Sequence, residues 1–281
     1  MAEPFDWNDL RVEHPDYGVL VAPCMAFTMW FDRTDASGLL DFYERVMEAL
    51  GPELIFYQAD SMKYPAKTTP RARTLLPTWI KKPAECKFYF ARFQSTDDMG
   101  GAAIEVHFEY WPRLTPAQQE RYRQNLPQLV AKGLTTRSGL STSTFRVTVP
   151  LDHPLAEPAR FARWALDFQA AKSGEFVTGG CDYSLNCMSS RGDLAEVPAK
   201  ALCMRHPGLD YWHLGIHQWF LRYEPATREL LPQVKRAGWI TLVNERALEY
   251  LGGEAKLAET VAHDPAVRLL PLTHGLALQS G

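Results

Sequence analysis

The sequence predicts an α+β fold: mixed or antiparallel sheets flanked by helices, built as two related α/β halves packed into one globular unit. Three observations predict it. A strand-then-helix pattern occurs twice, near residues 19–50 and again near 143–171. Two apolar-alternating segments, Lys87–Gln94 and Ala102–Tyr110, are joined by a stretch holding Asp97, Asp98, Gly100 and Gly101, which reads as a hairpin loop. Hydrophobic residues make up 46% and charged residues 22% of 281, enough apolar side chain for a sizeable core. The expected division runs 1–140 and 141–281.

In chain order, Val19–Phe31 reads as a strand interrupted near Pro23. Asp35 or Ser37 then caps a helix through Leu50, with Leu39, Leu40, Tyr43, Val46, Met47 and Leu50 at helical spacing. Gly51-Pro52 stops it and Leu54–Tyr57 reads as a strand. Residues 61–83 carry Pro65, Pro70, Pro77 and Pro83 and read as an irregular surface excursion. After the hairpin, Thr115-Pro116 opens a helix, Thr115 as cap and Pro116 at the tolerated first position, with a bend at Pro127.

The second half opens on a strand, Thr144–Val149, then a helix over Glu157–Ala171 with Phe161, Trp164, Ala165 and Phe168 on one side. Phe176–Cys187 has strand or turn character, Pro198–Arg205 reads as a short helix, and Leu214–Tyr223 as an apolar-aromatic strand. Asn244 caps a helix through Leu251 that Gly252 terminates in the left-handed conformation. Glu254–His263 is a further helix, and Val267–Leu270 with Gly275–Gln279 a closing hairpin.

Composition narrows the function. The formal net charge is -3, and no dense Lys/Arg block is present to follow a phosphate backbone, so direct nucleic-acid binding is disfavoured. The start of the sequence lacks a basic segment followed by an apolar one, and no apolar run is long enough to span a bilayer, so a cytoplasmic location without membrane contact is expected. Five cysteines with no C-x-x-C pair read as reduced thiols rather than a zinc site.

Phosphate-binding glycine loops, metalloprotease and nucleophile-elbow motifs are all missing. The sharpest chemical pattern is Ile104–Tyr110, where alternation places Glu105, His107 and Glu109 on one strand face. With Asp97, those side chains are of the type that bind a divalent metal in a hydrolase. The same alternation also describes an ordinary strand with one solvated face, which is the commoner case. His213 and His217 lie in a segment that reads as extended, so they do not chelate by helical spacing. Asp182 and Asn186 flank cysteines without a nearby His to complete a dyad. The Asp97-Asp98 loop is either a solvated turn or an acidic finger for a basic cleft.

Arg205-His206-Pro207-Gly208-Leu209-Asp210, then Gly238-Trp239-Ile240-Thr241-Leu242, then Leu251-Gly252-Gly253 resemble, in this order, the signposts of the type VI secretion immunity family (TsiV-like). The strand through Ala26–Phe31 before an amphipathic helix fits the same pattern. The family's usual sequence continues past the closing hairpin, whereas here Leu278-Gln279-Ser280-Gly281 ends it. The resemblance implies a cytoplasmic immunity protein, without catalysis or cofactor, that binds and neutralises a cognate secreted nuclease toxin by blocking its active site or substrate cleft. On that expectation Asp97, Asp98, Glu105 and Glu109 present acidic groups to the toxin and Trp111 is an aromatic anchor. The alternatives are the metal-dependent hydrolase above and a non-inhibitory effector adaptor.

Overall fold

The computed structural model describes residues 6–31, 37–59, 62–82, 89–97, 101–110, 115–117, 120, 124, 143–188, 191–206, 209–211 and 238–280. Its strands are β1 (Val12–His14), β2 (Gly18–Phe31), β3 (Phe56–Ala59), β4 (Ala66–Lys67), β5 (Tyr89–Gln94), β6 (Glu105–Tyr110), β7 (Ser143–Pro150), β8 (Thr178–Cys187), β9 (Asp210–Tyr211), β10 (Ile240–Asn244), β11 (Val267–Leu272) and β12 (Gly275–Ser280). Its helices are α1 (Ser37–Leu50), α2 (Pro70–Arg73), α3 (Leu75–Lys81), α4 (Pro158–Leu166), α5 (Gln169–Ser173), α6 (Gly192–Arg205), α7 (Glu245–Tyr250) and α8 (Glu254–Val261), with a 3-10 turn at Trp7–Leu10. The fold is α+β.

All the strands join one sheet in the order β11-β12-β10-β8-β2-β7-β6-β5-β3-β4, with β1 also on β2 and β9 on β8. Neighbours are antiparallel except for the parallel β8–β9 pair. β2 is the axis. Along one edge it pairs β8, and along the other it passes from β1 to β7. Val21 is the last β2 residue in register with β1 and Cys24 the first in register with β7. Pro23 falls in that gap, so the strand runs through it without the expected interruption, where the ladder on that edge is open.

One sheet face makes the main core. Met25, Phe27, Met29 and Phe31 of β2, Val106 and Phe108 of β6, Phe145 and Val147 of β7, and Ile240 and Leu242 of β10 point into it. Leu39, Phe42, Tyr43 and Val46 of α1 and Phe161 and Ala165 of α4 cover it. The Phe42 ring stacks on Phe145 and meets Phe108 and Phe168 edge-on. A second core holds Leu10, Leu20, Val21, Leu185 and Met188 under α6, which lays Ala195 and Ala199 against them. Alanine there lets the helix backbone approach closely.

Several expectations change. The excursion at 61–83 contains β4 and two short helices. Pro70 sits at the first turn of α2, where its missing N–H costs nothing, and Thr69 caps that turn by accepting from the Ala72 N–H at 3.1 Å. The strand expected over Leu54–Tyr57 lies two residues later, because Leu54 is still in the turn and donates to the Leu50 carbonyl. The helix expected over Glu157–Ala171 breaks into α4 and α5. Phe168 is extended, Asp167 is drawn away by Arg45 and Lys172, and the freed N–H of Gln169 is taken by Asp41 at 2.8 Å. The helix expected from Pro198 begins at Gly192, with Pro198 inside it.

The C-terminal elements stand as read. Asn244 accepts from the Ala247 N–H at 2.9 Å and caps α7. Gly252 (φ +93) and Gly253 (φ +91) close it, Gly253 N–H donating to Leu248 and Gly252 N–H to Glu249. That bond pair is a Schellman stop, which needs the left-handed glycine. The closing hairpin pairs β11 with β12 from Val267↔Ser280 to Leu272↔Gly275. Pro116, Ala117, Glu120 and Gln124 are helical, as Thr115-Pro116 predicts. Asp35, Cys86, Pro127, His213, His217 and the strand expected at Leu214–Tyr223 lie outside the described residues.

Candidate partner-binding surface and the buried polar face

The β5–β6 hairpin forms as expected, Gln94 opposite Glu105 and Phe90 opposite Glu109. Asp97 lies exposed just beyond β5. Asp98 and Trp111 lie outside the described residues. The expected solvated face of β6 is corrected: Glu105 is 5%, His107 0% and Glu109 7% exposed.

The neighbouring strands place matching polar side chains on that same face. Register aligns Arg92, His107 and Arg146 in one row across β5, β6 and β7, with Gln94, Glu105 and Thr148 in the next. All six are buried. Glu105 faces Arg92 at 3.5 Å and accepts from the Gln94 amide at 3.1 Å. His107 Nε2 lies 3.5 Å from Glu109 and its ring meets Phe90 edge-on. Arg146 donates to Ser184 Oγ at 2.9 Å, tying β7 to β8 across β2. The row is an internal ion-pair and hydrogen-bond network, and buried charges persist only when paired in this way. In this conformation Glu105 and Glu109 are turned toward their own sheet, not toward a partner.

Metal chemistry fares no better on geometry. Among the described residues no group of three or more His, Cys, Asp and Glu is placed to hold a metal ion. Asp97 is exposed while His107 is fully buried, so the set proposed for a hydrolase is not brought together. The four described cysteines are free thiols. Burial pushes Cys24 up to about 12, against the opposing pull of Arg146, and pushes Cys187 up to about 12 as well. Neither is an activated nucleophile.

Asp182 and Asn186 turn out to be structural. Asn186 donates to the Ala103 carbonyl at 3.2 Å, fastening the connection between β5 and β6 to β8. Asp182 Oδ1 accepts the Trp239 backbone N–H at 3.0 Å. A Cβ on Gly238 would lie 2.1 Å from that same oxygen, so glycine is what lets the carboxylate reach the turn. Thr241 Oγ1 takes the Gly238 N–H at 2.9 Å. The Gly-Trp-Ile-Thr run is therefore a turn clamped by a carboxylate from β8. Trp239 is half-buried rather than buried, with its ring 6.0 Å from Tyr183. Tyr183 in turn stacks on Trp7 at 4.8 Å.

Residues 123–281 match the family described as TsiV, type VI immunity for VRR-NUC. The chain belongs to the TsiV family. Its signposts that are described are structural: Leu209 is buried, Asp210–Tyr211 form β9 on β8, Gly238 admits Asp182, and Gly252-Gly253 end α7. The TsiV chain is also similar in fold to a solved structure, the Pseudomonas aeruginosa T6SS protein PA0821, with a TM-score of 0.63 and 16% identity over 97% of this chain and 71% of that one. No curated protein matches it.

Sequence reasoning missed Arg92 as the partner of Glu105 and Arg146 as a member of the same buried polar face. The signal was present: Arg92-Phe93-Gln94 and Thr144–Thr148 repeat the polar period of Glu105–Glu109, so three adjacent strands place polar groups on one face.

Proposed function

We propose that this type VI immunity protein acts by binding a VRR-NUC nuclease toxin and covering its substrate cleft, without catalysis of its own, in the cytoplasm of the cell that makes it. The family match over 123–281 carries this reading. A protein of formal charge -3 suits such a partner, because a nuclease cleft must be basic to hold a phosphate backbone. Among the described residues no helix is long and apolar enough to cross a membrane. Asp97, exposed just beyond β5, is retained as a candidate contact, with Asp98 beside it in sequence and Trp111 directly after β6. Glu105 serves the reading indirectly, by tying β5 to β6 through Arg92 and Gln94.

The test mixes the purified chain with a VRR-NUC nuclease toxin from the same organism. A one-to-one or higher complex on size exclusion and loss of DNA cleavage are expected. Binding without loss of cleavage would favour an adaptor role. Neither binding nor inhibition would remove the proposal.

A further inference from the structure

The surface beside the Asp182 clamp carries a feature that the fold alone does not require. Trp7 from the 3-10 turn, Tyr183 from β8 and Trp239 ahead of β10 form a continuous strip of rings. The first two stack at 4.8 Å and 19°, and the next pair are 6.0 Å apart. All three are half-buried. They sit at the seam between the two cores, where Tyr183 touches both. Two of the rings are anchored: Tyr183 pairs with Met25 in the β2–β8 ladder, and Trp239 is held by its own N–H on Asp182.

Several carboxylates lie near these rings. Asp6 and Asp9 flank Trp7 and are exposed. Glu157 is exposed, and its negative charge bears on Tyr183, whose hydroxyl is raised first by burial and then by that charge. Asp182 stands next to Trp239. Arg11, the first cation after Asp9, is engaged by Glu13 at 2.7 Å. Large aromatic rings held beside an excess of acidic side chains are the composition of a binding hot spot for a basic partner.

We infer that the toxin docks on this strip, with Trp7, Tyr183 and Trp239 as anchors and the nearby carboxylates set against its basic cleft. The inference rests on the proposed immunity function and adds the surface to it. Another exposed apolar feature is the outer stripe of α6, where Val197 is 70% and Met204 86% exposed. Its neighbours Asp193, Glu196, Lys200 and Arg205 are of balanced sign, so it lacks the charge match that the strip has.

The experiment measures affinity for the same VRR-NUC toxin by calorimetry, using the full chain. Trp7→Ala is expected to weaken binding about tenfold or more, as a hot-spot truncation does. Trp7→Phe is expected to recover most of the loss. Asp9→Lys, an exposed change that spares the core, is expected to weaken binding and to flatten its salt dependence. Thermal melts of each variant confirm folding, and Asp9→Lys remains decisive where Trp7→Ala unfolds. If wild type binds and both Trp7→Ala and Asp9→Lys bind as tightly, the strip is overturned while the immunity reading stands. A larger loss for Met204→Ala than for either also overturns it, in favour of α6. If wild type forms no complex, the immunity reading fails and the docking surface falls with it.

Discussion

The carboxylate of Asp182 occupies the space that a side chain on Gly238 would need. A Cβ built there lies 2.1 Å from Oδ1, and that oxygen also holds the Trp239 N–H at 3.0 Å. Gly238→Ala therefore sets a methyl against a backbone-anchoring carboxylate. The expected cost is about 1–3 kcal/mol, the usual range for overpacking. Asp182→Ala alone strands the Trp239 N–H and is expected to cost about 1–3 kcal/mol. Combined, the two should cost less than their sum, because the second change removes the clash that the first creates. Urea unfolding of the four proteins measures the coupling. Strict additivity would show that the carboxylate and the glycine do not depend on each other.

Glu105 is the hinge of the polar face. It takes the Gln94 amide at 3.1 Å and stands 3.5 Å from Arg92, with both side chains under a tenth exposed. Glu105→Ala leaves a guanidinium buried without that counter-charge and is expected to destabilise by about 3–5 kcal/mol. Glu105→Gln keeps the shape and is expected to cost less. Since the side chain is turned into the sheet, Glu105→Gln should leave toxin affinity unchanged. A loss of affinity at full stability would return Glu105 to the contact surface.

The strands and helices whose pattern is local were legible in the sequence. The β5–β6 and β11–β12 hairpins, the Asn244 cap and the Gly252 stop follow from alternation and turn chemistry over a few residues. What could not be read is what depends on distant partners. The break between α4 and α5 comes from Asp41, Arg45 and Lys172, the first two more than a hundred residues upstream. The polar neighbours of Glu105, His107 and Glu109 come from β5 and β7, which flank β6 with matched polar rows. An alternating strand looks the same whether its polar face meets water or other polar side chains. The Gly-Trp signpost carried its family meaning in the sequence, but its physical cause, Asp182, lies 56 positions before the glycine and enters only with the sheet.

The thiols make stability depend on pH in the alkaline range. Cys24 and Cys187 are each raised to about 12, and Cys181 is raised well above its ordinary value, burial being the largest cause for all three. A thiol with a raised folded-state pKa holds its proton longer in the native state than in the unfolded one. Its contribution is complete below about pH 9, the ordinary thiol value, and is lost as pH rises from there toward 12. Each such thiol should steepen the decline by about 1.4 kcal/mol per pH unit within that window. Unfolding midpoints from pH 8 to 11 test this, and Cys24→Ala should flatten the curve. The same burial predicts that native protein resists iodoacetamide at pH 8 on Cys24 and Cys181. Rapid native alkylation at either would contradict their burial.

The order of strands makes the two sequence halves interdependent. β2, from the first half, has β8 on one edge and β7 on the other, both from the second half. β7 also separates β2 from β6, so the first half's two groups of strands, β1–β2 and β3–β4–β5–β6, meet in the sheet only through a strand it does not contain. Residues 1–140 alone would expose Met25, Phe27, Met29 and Phe31 along an unpaired central strand. Residues 141–281 alone would leave β7 with neither of its neighbours. Burying a central strand on both edges is a large share of the core's apolar area, and neither half retains it. We therefore propose that the expected halves, 1–140 and 141–281, are one cooperative folding unit. Expressed separately, each is expected to lack a cooperative thermal transition and dispersed amide resonances. Co-expressed, the two should recover both as a non-covalent pair. A cooperative transition in residues 1–140 alone would show that the first half folds independently and that β7 and β8 add to a sheet already formed.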